Sequence, residues 1–313
     1  MLKNIEHKIR NHPTVKLLVT VTKKRSLPGL GSVPVYYVGY YFTNTLKNGA
    51  LATKASSLAF NFFLAVFPAI LFMFSLIPFV FPEDFLVNLL EQIKTFLPAA
   101  IKEEVMETLG FFSEKQEGVL FLNIILALYF ASNGIVNLMT QFNSTYLFKE
   151  KQVWWKQRLM ALGLVVILTA LILTAVILTS LTHFSMDFAI EKGWINGTVN
   201  WILINTFRWI IVFALFYFAI SFLYYFGPAK RKSWTFFSAG SSVATLMIII
   251  SSIAFSFYIT HFSRYNAIYG SIGTIVIIML YFQLNSFILL LGFELNASIR
   301  KGKSNDKFIA ESN

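Results

Sequence analysis

Long apolar runs separated by polar stretches are the dominant pattern of this sequence. Each of six runs reaches the roughly 20 residues that a helix needs to cross about 30 Å of hydrocarbon. The runs cover 58–82, 119–140, 159–181, 201–226, 234–258 and 268–297. The pattern predicts an all-α polytopic membrane protein. Its parts are a basic N-terminal segment (1–57), a domain of six transmembrane helices (58–298) and a short tail (299–313).

Amphipathic stretches outside the runs predict helices at the membrane surface. Residues 4–25 mix apolar and basic side chains, which suits a helix lying on a membrane leaflet. Tyrosines at 36, 37, 40 and 41 recur at helical spacing, so 35–56 is interpreted as an interfacial elbow. Between the first two runs, apolar positions at helical spacing in 84–113 predict a small two-helix cap on the outer side.

Loop charge predicts the orientation, because Lys and Arg near span ends are retained on the cytoplasmic side. The N-terminal segment carries nine such residues, the loops after the second and fourth runs four and three, and the tail four, which is 20 of the 26. Both termini are therefore predicted to be cytoplasmic. Attraction of these cations to anionic lipid headgroups explains the net charge of +11, so no nucleic-acid partner is predicted.

Polar side chains inside the runs are candidates for a substrate pathway. Asn133, Asn137 and Gln141 follow i, i+4, i+8 and form one stripe on the second span, which must face protein or water. The candidate pathway comprises this stripe together with Asn61, Gln283 and Asn285. Amide hydrogen bonds between membrane helices are also common as simple packing contacts. Both interpretations of the stripe remain open.

Two charged residues fall in or near spans and need a physical explanation. Arg208 is expected near the outer headgroups, where its side chain can snorkel to water. Glu294 is expected near the inner surface, with Lys54 or one of the basic residues at 230–232 as its partner. Its role is either to pin helix ends together or to couple protons.

Helix-breaking and small residues predict local geometry in three spans. Pro68 should kink the first span, because its missing N–H frees a carbonyl one turn back. Gly270 and Gly273 interrupt the start of the sixth run, which predicts a hinge, a binding turn or a tight outer turn. In the fifth run, Ala239 and Gly240 favour close packing between helices.

Signatures of enzyme chemistry are sparse. The chain has no cysteine, and its four histidines fall on different segments, so neither thiolate chemistry nor a metal site is predicted. It also lacks a phosphate-binding loop, a dinucleotide fingerprint and a nucleophile elbow. We therefore predict no catalytic residue, no metal and no cofactor.

Several segments resemble the YihY/BrkB family of bacterial inner-membrane proteins. They are Ala55 to Pro68, Ala131 to Tyr146, Trp155 to Leu162, Tyr224 to Pro228, Ser256 to Gly273 and Leu291 to Ala297. The resemblance implies a multi-pass protein of the bacterial cytoplasmic membrane. Some family members have been labelled ribonuclease BN, which these residues do not support. Others are associated with serum resistance or with moving lipid or lipopolysaccharide precursors.

Three hypotheses of function follow. The first is a transporter or flippase-like protein for an amphipathic, anionic lipid or envelope precursor. The second is a structural scaffold whose acidic outer cap binds an envelope protein, and the third is a membrane-embedded enzyme. Membrane lipids are the expected partners in every case, with their anionic headgroups on the cytoplasmic side. The sequence does not predict an oligomeric state.

Overall fold

The computed structural model describes residues 22, 26, 33–80, 117–145, 147–191, 198–230, 234–261 and 264–311. Within these residues every regular element is an α-helix, which confirms the predicted all-α class. Seven helices are long enough to number in chain order. They are α1 (Val35–Asn48), α2 (Leu51–Val80), α3 (Glu117–Asn143), α4 (Trp154–Glu191), α5 (Thr198–Phe226), α6 (Ala239–His261) and α7 (Arg264–Glu311).

Six of these helices are long and apolar enough to cross a membrane, as predicted. The apolar segments are Leu51–Met73, Ile124–Asn143, Trp154–Leu178, Thr206–Phe226, Ala239–Tyr258 and Ile275–Ser304. The helices extend beyond the runs: α2 begins seven residues before the predicted start at 58, and α7 continues to residue 311. Hydropathy marks only the apolar part, whereas a helix continues for as long as its backbone hydrogen bonds do.

A sharp break separates α1 from α2 inside the predicted elbow at 35–56. The N–H of Gly49 donates to the carbonyl of Thr45 at 2.7 Å and closes the end of α1. Ala50 then adopts φ 49°, the left-handed region that usually favours glycine. This one residue turns the chain out of α1, and α2 begins at the next position.

Three expectations about helix geometry have different outcomes. Pro68 lies inside α2, which runs through it, and its predicted kink stays a prediction. Gly270 and Gly273 lie inside α7, so the predicted turn is wrong, and the hinge stays a prediction. Each glycine costs a helix about 1 kcal/mol, but breaking the backbone hydrogen bonds of an apolar segment costs more. The predicted cap at 84–113, and 4–25 apart from residue 22, lie outside the described residues.

The chain divides into two compact units, which are described separately. The first unit contains Met1–Phe60, Leu138–Val153 and Phe216–Asn313, and the second contains Asn61–Asn137 and Trp154–Leu215. Three helices pass from one unit to the other, so the units share spans.

Close contact between α6 and α7 organises the first unit. A Cβ added to Gly240 would lie 2.1 Å from the carbonyl oxygen of Gly292, and one added to Gly292 would lie 2.7 Å from the Ala244 Cβ. The two backbones therefore touch, which confirms the packing role predicted for Gly240. The Asn296 side chain supports the contact, because its Oδ1 accepts the Gly240 N–H at 2.8 Å and its Nδ2 donates to Ser238 Oγ at 2.8 Å.

Aromatic side chains fill the space beside this contact. The Phe142 and Phe293 rings stack with centroids 3.9 Å apart, and Trp234 stacks on Phe293 at 4.8 Å. Tyr224 packs edge-on against both phenylalanines and donates its hydroxyl to the Leu289 carbonyl at 2.7 Å. The stack joins the end of α3, the end of α5 and α7 within the first unit.

Candidate functional site

An arginine held by neutral oxygens is the main polar feature of the second unit. Nη1 of Arg158, near the start of α4, donates to Ser132 Oγ at 2.7 Å and to Asn133 Oδ1 at 2.8 Å on α3. Its guanidinium carbon lies 4.2 Å from the centroid of the Tyr129 ring. Ser132 is fully buried and donates in turn to the Tyr129 carbonyl at 2.7 Å.

The charge of Arg158 is oriented by these contacts but is not neutralised by them. A guanidinium has five N–H donors, and both described hydrogen bonds use the same nitrogen. The Glu150 carboxylate forms its ion pair with Arg300 and not with Arg158. A full positive charge with neutral partners is suited to receive an anion, and the planar fork of arginine matches a phosphate or carboxylate.

The asparagine stripe continues from this arginine. Asn137 lies one turn after Asn133 on α3, and its Oδ1 is buried without a hydrogen-bond partner in the structure. Gln157 donates to the Val136 carbonyl at 3.0 Å, so α4 is fixed to α3 between the two asparagines. Asn61, also in the second unit, is half-buried. Asn133 thus accepts a hydrogen bond from Arg158, while the side-chain oxygen of Asn137 is an acceptor without a donor in the structure.

A buried carboxylate is the corresponding feature of the first unit. Glu294 on α7 is 2% exposed, and its Oε2 accepts a hydrogen bond from the hydroxyl of Thr145, which is also 2% exposed. The Lys54 charge, on α2, interacts with the Glu294 charge. Lys54 Nζ donates to the Ser144 carbonyl at 2.7 Å. Of the partners predicted for Glu294, Lys54 thus acts through its charge, while residues 231 and 232 lie outside the described residues.

The connection between α3 and α4 holds this part of the first unit together. Within it, Glu150 Oε1 pairs with the Arg300 guanidinium at 3.1 Å, and Glu150 Oε2 accepts the Lys230 N–H at 3.0 Å. At the end of α3, Asn143 Oδ1 accepts the Ala229 N–H at 2.8 Å, and its backbone carbonyl accepts the Glu150 N–H at 2.9 Å. Residues 144–153 are therefore fixed to α7 and to the connection that follows α5.

The other predicted pathway residues lie in the first unit and make local contacts. Gln283 donates to Ser56 Oγ at 3.1 Å. Asn285 donates to the Tyr281 carbonyl one turn back at 2.9 Å, and its Oδ1 is buried without a partner. Gln141 is half-buried. The six predicted residues are thus divided equally between the two units, and their role in one common pathway stays a prediction.

Arg208, the other charged candidate, belongs to the second unit. Its guanidinium carbon lies 6.0 Å from the centroid of the Trp209 ring, and the side chain is half-buried. Contact with a tryptophan face is compatible with the snorkelling interpretation, because indole rings are enriched at membrane interfaces.

Sequence reasoning missed Arg158, Thr145 and Glu150. Arg158 lies one residue before the predicted third run, so it was counted with the loop cations. The sequence carries no periodic signal for Arg158, and the structure shows that its neighbour Gln157 also contacts α3. Thr145 and Glu150 lie in a connection without periodicity, and nothing in the sequence marks them as partners of α7.

These features define a helical, multi-pass membrane protein with one polar cluster in each unit. The chain matches the virulence factor BrkB family over residues 43–312, and it belongs to that family. The family resemblance predicted from the sequence is thereby confirmed. No solved structure matches the chain.

Two relatives align with most of the chain. "Putative ribonuclease-like protein YfkH" of Bacillus subtilis (strain 168) is 30% identical over 266 residues, which cover 83% of this chain and 93% of the relative. A "UPF0761 membrane protein" of Histophilus somni (strain 129Pt) is 26% identical over 287 residues, covering 85% of this chain and 91% of the relative.

Proposed function

We propose that the protein is a transporter or flippase-like protein of the bacterial cytoplasmic membrane that binds an amphipathic anion, a phospholipid or an envelope precursor. The supporting observation is the Arg158 guanidinium, which neutral side chains orient beside the asparagine stripe. We further infer that the protein is not an enzyme. The name of the Bacillus relative refers to a ribonuclease. In the described residues, however, no group of three His, Asp or Glu side chains could hold a metal.

The cluster has the chemistry that an anionic headgroup requires. Arginine binds phosphate through parallel N–H donors, and hydrogen bonds to a charged group contribute about 1.5–3 kcal/mol each. Ser132 and Asn133 hold one side of the guanidinium, which leaves the remaining donors for the ligand. The Asn137 amide, one turn further along α3, extends the polar surface in the direction that a headgroup would follow.

The same contacts argue against simple helix packing as the role of the stripe. Neutral amide pairs stabilise membrane helices by about 0.6–2 kcal/mol without introducing charge. Arg158 instead introduces a full positive charge at the contact between α3 and α4, which joining two helices does not require. A bound anion would balance that charge.

Native mass spectrometry of the detergent-purified protein tests binding. The wild type is expected to retain an anionic phospholipid in defined stoichiometry when phosphatidylglycerol is supplied, and Arg158→Gln is expected to lose it. Loss of one charged hydrogen bond corresponds to roughly a tenfold weaker affinity. Lys156→Gln is the matched control, because this lysine lies on the same helix two residues away but is exposed. Equal retention by the wild type and Arg158→Gln would refute the site.

A flipping assay tests transport. The protein is reconstituted in vesicles that contain fluorescent phosphatidylglycerol, and dithionite then quenches the label in the outer leaflet. We expect additional quenching with the wild type and with Lys156→Gln, and none with Arg158→Gln or Asn133→Leu. Flipping that is unchanged in both site variants would remove the proposed pathway, whereas binding without flipping would leave a lipid-binding protein.

A further inference from the structure

Glu294 is a buried acid close to an exposed position of the chain. Glu294 and Thr145 are each 2% exposed, and their side chains are joined by a hydrogen bond. Lys54, whose charge interacts with the carboxylate, is half-buried, and its ammonium group binds the carbonyl of exposed Ser144. Because Ser144 precedes Thr145 in the chain, the buried carboxylate lies near a position that water reaches.

Structural pinning alone does not account for this acid. Residues 144–153 are already attached to α7 by the pair between Glu150 and Arg300, and to the connection after α5 by the Lys230 N–H, which donates to Glu150. A neutral glutamine at 294 would accept the same Thr145 hydrogen bond. It would avoid the cost of burying an ionised carboxylate, which is several kcal/mol even when a cation is near. The carboxylate adds two properties that glutamine lacks, a negative charge that interacts with Lys54 and the capacity to bind and release a proton.

The charged and titratable groups around Glu294 come from each element packed near it. Lys54 approaches from α2. The connection after α3 contributes Lys149, whose charge acts on Lys54, and Glu150, which is occupied by Arg300 of α7. From α5 comes Tyr224, whose hydroxyl is committed to the Leu289 carbonyl. Among these described groups, Lys54 is the one whose electrostatic interaction with Glu294 is lost when Glu294 takes up a proton.

We propose that Glu294, which is bonded to Thr145, is a reversible proton-binding site and that uptake and release of its proton drive movement of the anionic substrate. In this step a proton from water binds a carboxylate oxygen of Glu294, and the carboxylate becomes a carboxylic acid. Lys54 remains an ammonium ion and loses its attraction to position 294. The Thr145 hydroxyl, which also lies 3.4 Å from the Leu147 N–H, then accepts a hydrogen bond from the acid instead of donating one. The coupling role rests on the proposed transport function, but the proton site does not.

Infrared difference spectroscopy of the purified wild type tests the proton site without any substrate. A carboxylic acid in a dry environment absorbs at a carbonyl-stretch frequency that a carboxylate lacks. We expect a carboxylic-acid band that grows as the pH is lowered and disappears as it is raised. The band should be absent in Glu294→Gln and present in Glu294→Asp. Glu150→Gln is the matched control and should keep the band, because its carboxylate is paired with Arg300.

The result on the wild type decides the inference even if Glu294→Gln fails to fold. Absence of a titrating carboxyl band in the wild type overturns the proton site, and so does a band that persists unchanged in folded Glu294→Gln. A structural role would not produce the band.

The flipping assay with an imposed pH gradient then tests coupling. Transport by the wild type should change several-fold when the gradient is reversed, whereas Glu294→Gln should be insensitive to it. Wild-type flipping that ignores the gradient overturns the coupling. Absence of any flipping contradicts the proposed function, and the infrared band still reports on the proton site.

Discussion

The contact between α6 and α7 allows a sharp test of what holds the first unit together. Gly240 is the second residue of α6, and a Cβ at this position would lie 2.1 Å from the Gly292 carbonyl oxygen and 2.6 Å from the Asn296 amide carbon. Both neighbours have little freedom, because one is backbone and the other already binds the Gly240 N–H. Gly240→Ala therefore requires the two helices to separate.

The expected cost follows from these contacts. Inserting a methyl group into a packed contact costs about 1–3 kcal/mol. Weakening the hydrogen bond between the Gly240 N–H and Asn296 adds about 1 kcal/mol. Alanine favours the helix over glycine by about 1 kcal/mol, which offsets part of the loss. Gly163→Ala in α4 isolates that offset, because a Cβ there meets nothing within 4 Å. The difference in unfolding free energy between the two variants should be roughly 2–4 kcal/mol.

The measurement is equilibrium unfolding by sodium dodecyl sulfate in mixed micelles, followed by circular dichroism. Gly240→Ala should unfold at a lower mole fraction of the denaturing detergent than the wild type, and Gly163→Ala at an equal or higher one. Equal stability of the two alanine variants would show that the helices are not in backbone contact at Gly240.

Two further substitutions test the polar contacts of the first unit. Tyr224→Phe keeps the aromatic packing but leaves the Leu289 carbonyl without its donor, so the unfolding free energy should fall by about 1 kcal/mol in the same assay, and an unchanged value would mean that this hydrogen bond is absent. For Glu150 and Arg300, which are 10% and 18% exposed, a double-mutant cycle to alanine should give a coupling of about 1 kcal/mol, and a coupling of zero would contradict the ion pair.

The sequence predicted the membrane spans because transfer into hydrocarbon depends mainly on local composition. It predicted less well where helices begin. Residues 51–57 (LATKASS) are too polar to extend an apolar run, yet they form the first two turns of α2. Leu51 and Ala55 are buried there, at the spacing of one helical turn, so packing against protein stabilises a segment that hydropathy excludes.

The candidate site was predictable only in part, and for a related reason. Glu294 was conspicuous because an ionisable residue in an apolar run requires a partner, and Lys54 was among the partners considered. Arg158 was not, because charge counting treats every cation at a span end alike. Its importance arises from the side of α4 that meets Ser132 and Asn133, and that contact joins residues 25 and 26 positions apart. Gly270 and Gly273 predicted a turn that the structure does not have. An apolar segment keeps its backbone hydrogen bonds, and this outweighs the local preference of glycine for turns.

The aromatic stack that contains Phe293 and Trp234 has a practical consequence for spectroscopy. Trp234 stacks on Phe293, the residue next to Glu294, and the Arg300 guanidinium carbon lies 5.1 Å from the indole centroid. Indole emission shifts with the local electric field, and this ring lies beside the Arg300 cation and on the ring of the residue that precedes the buried acid. A variant that keeps Trp234 and replaces the other five tryptophans by phenylalanine would therefore carry its own optical reporter. Changes at position 294 would appear in its emission spectrum in real time, without any attached dye.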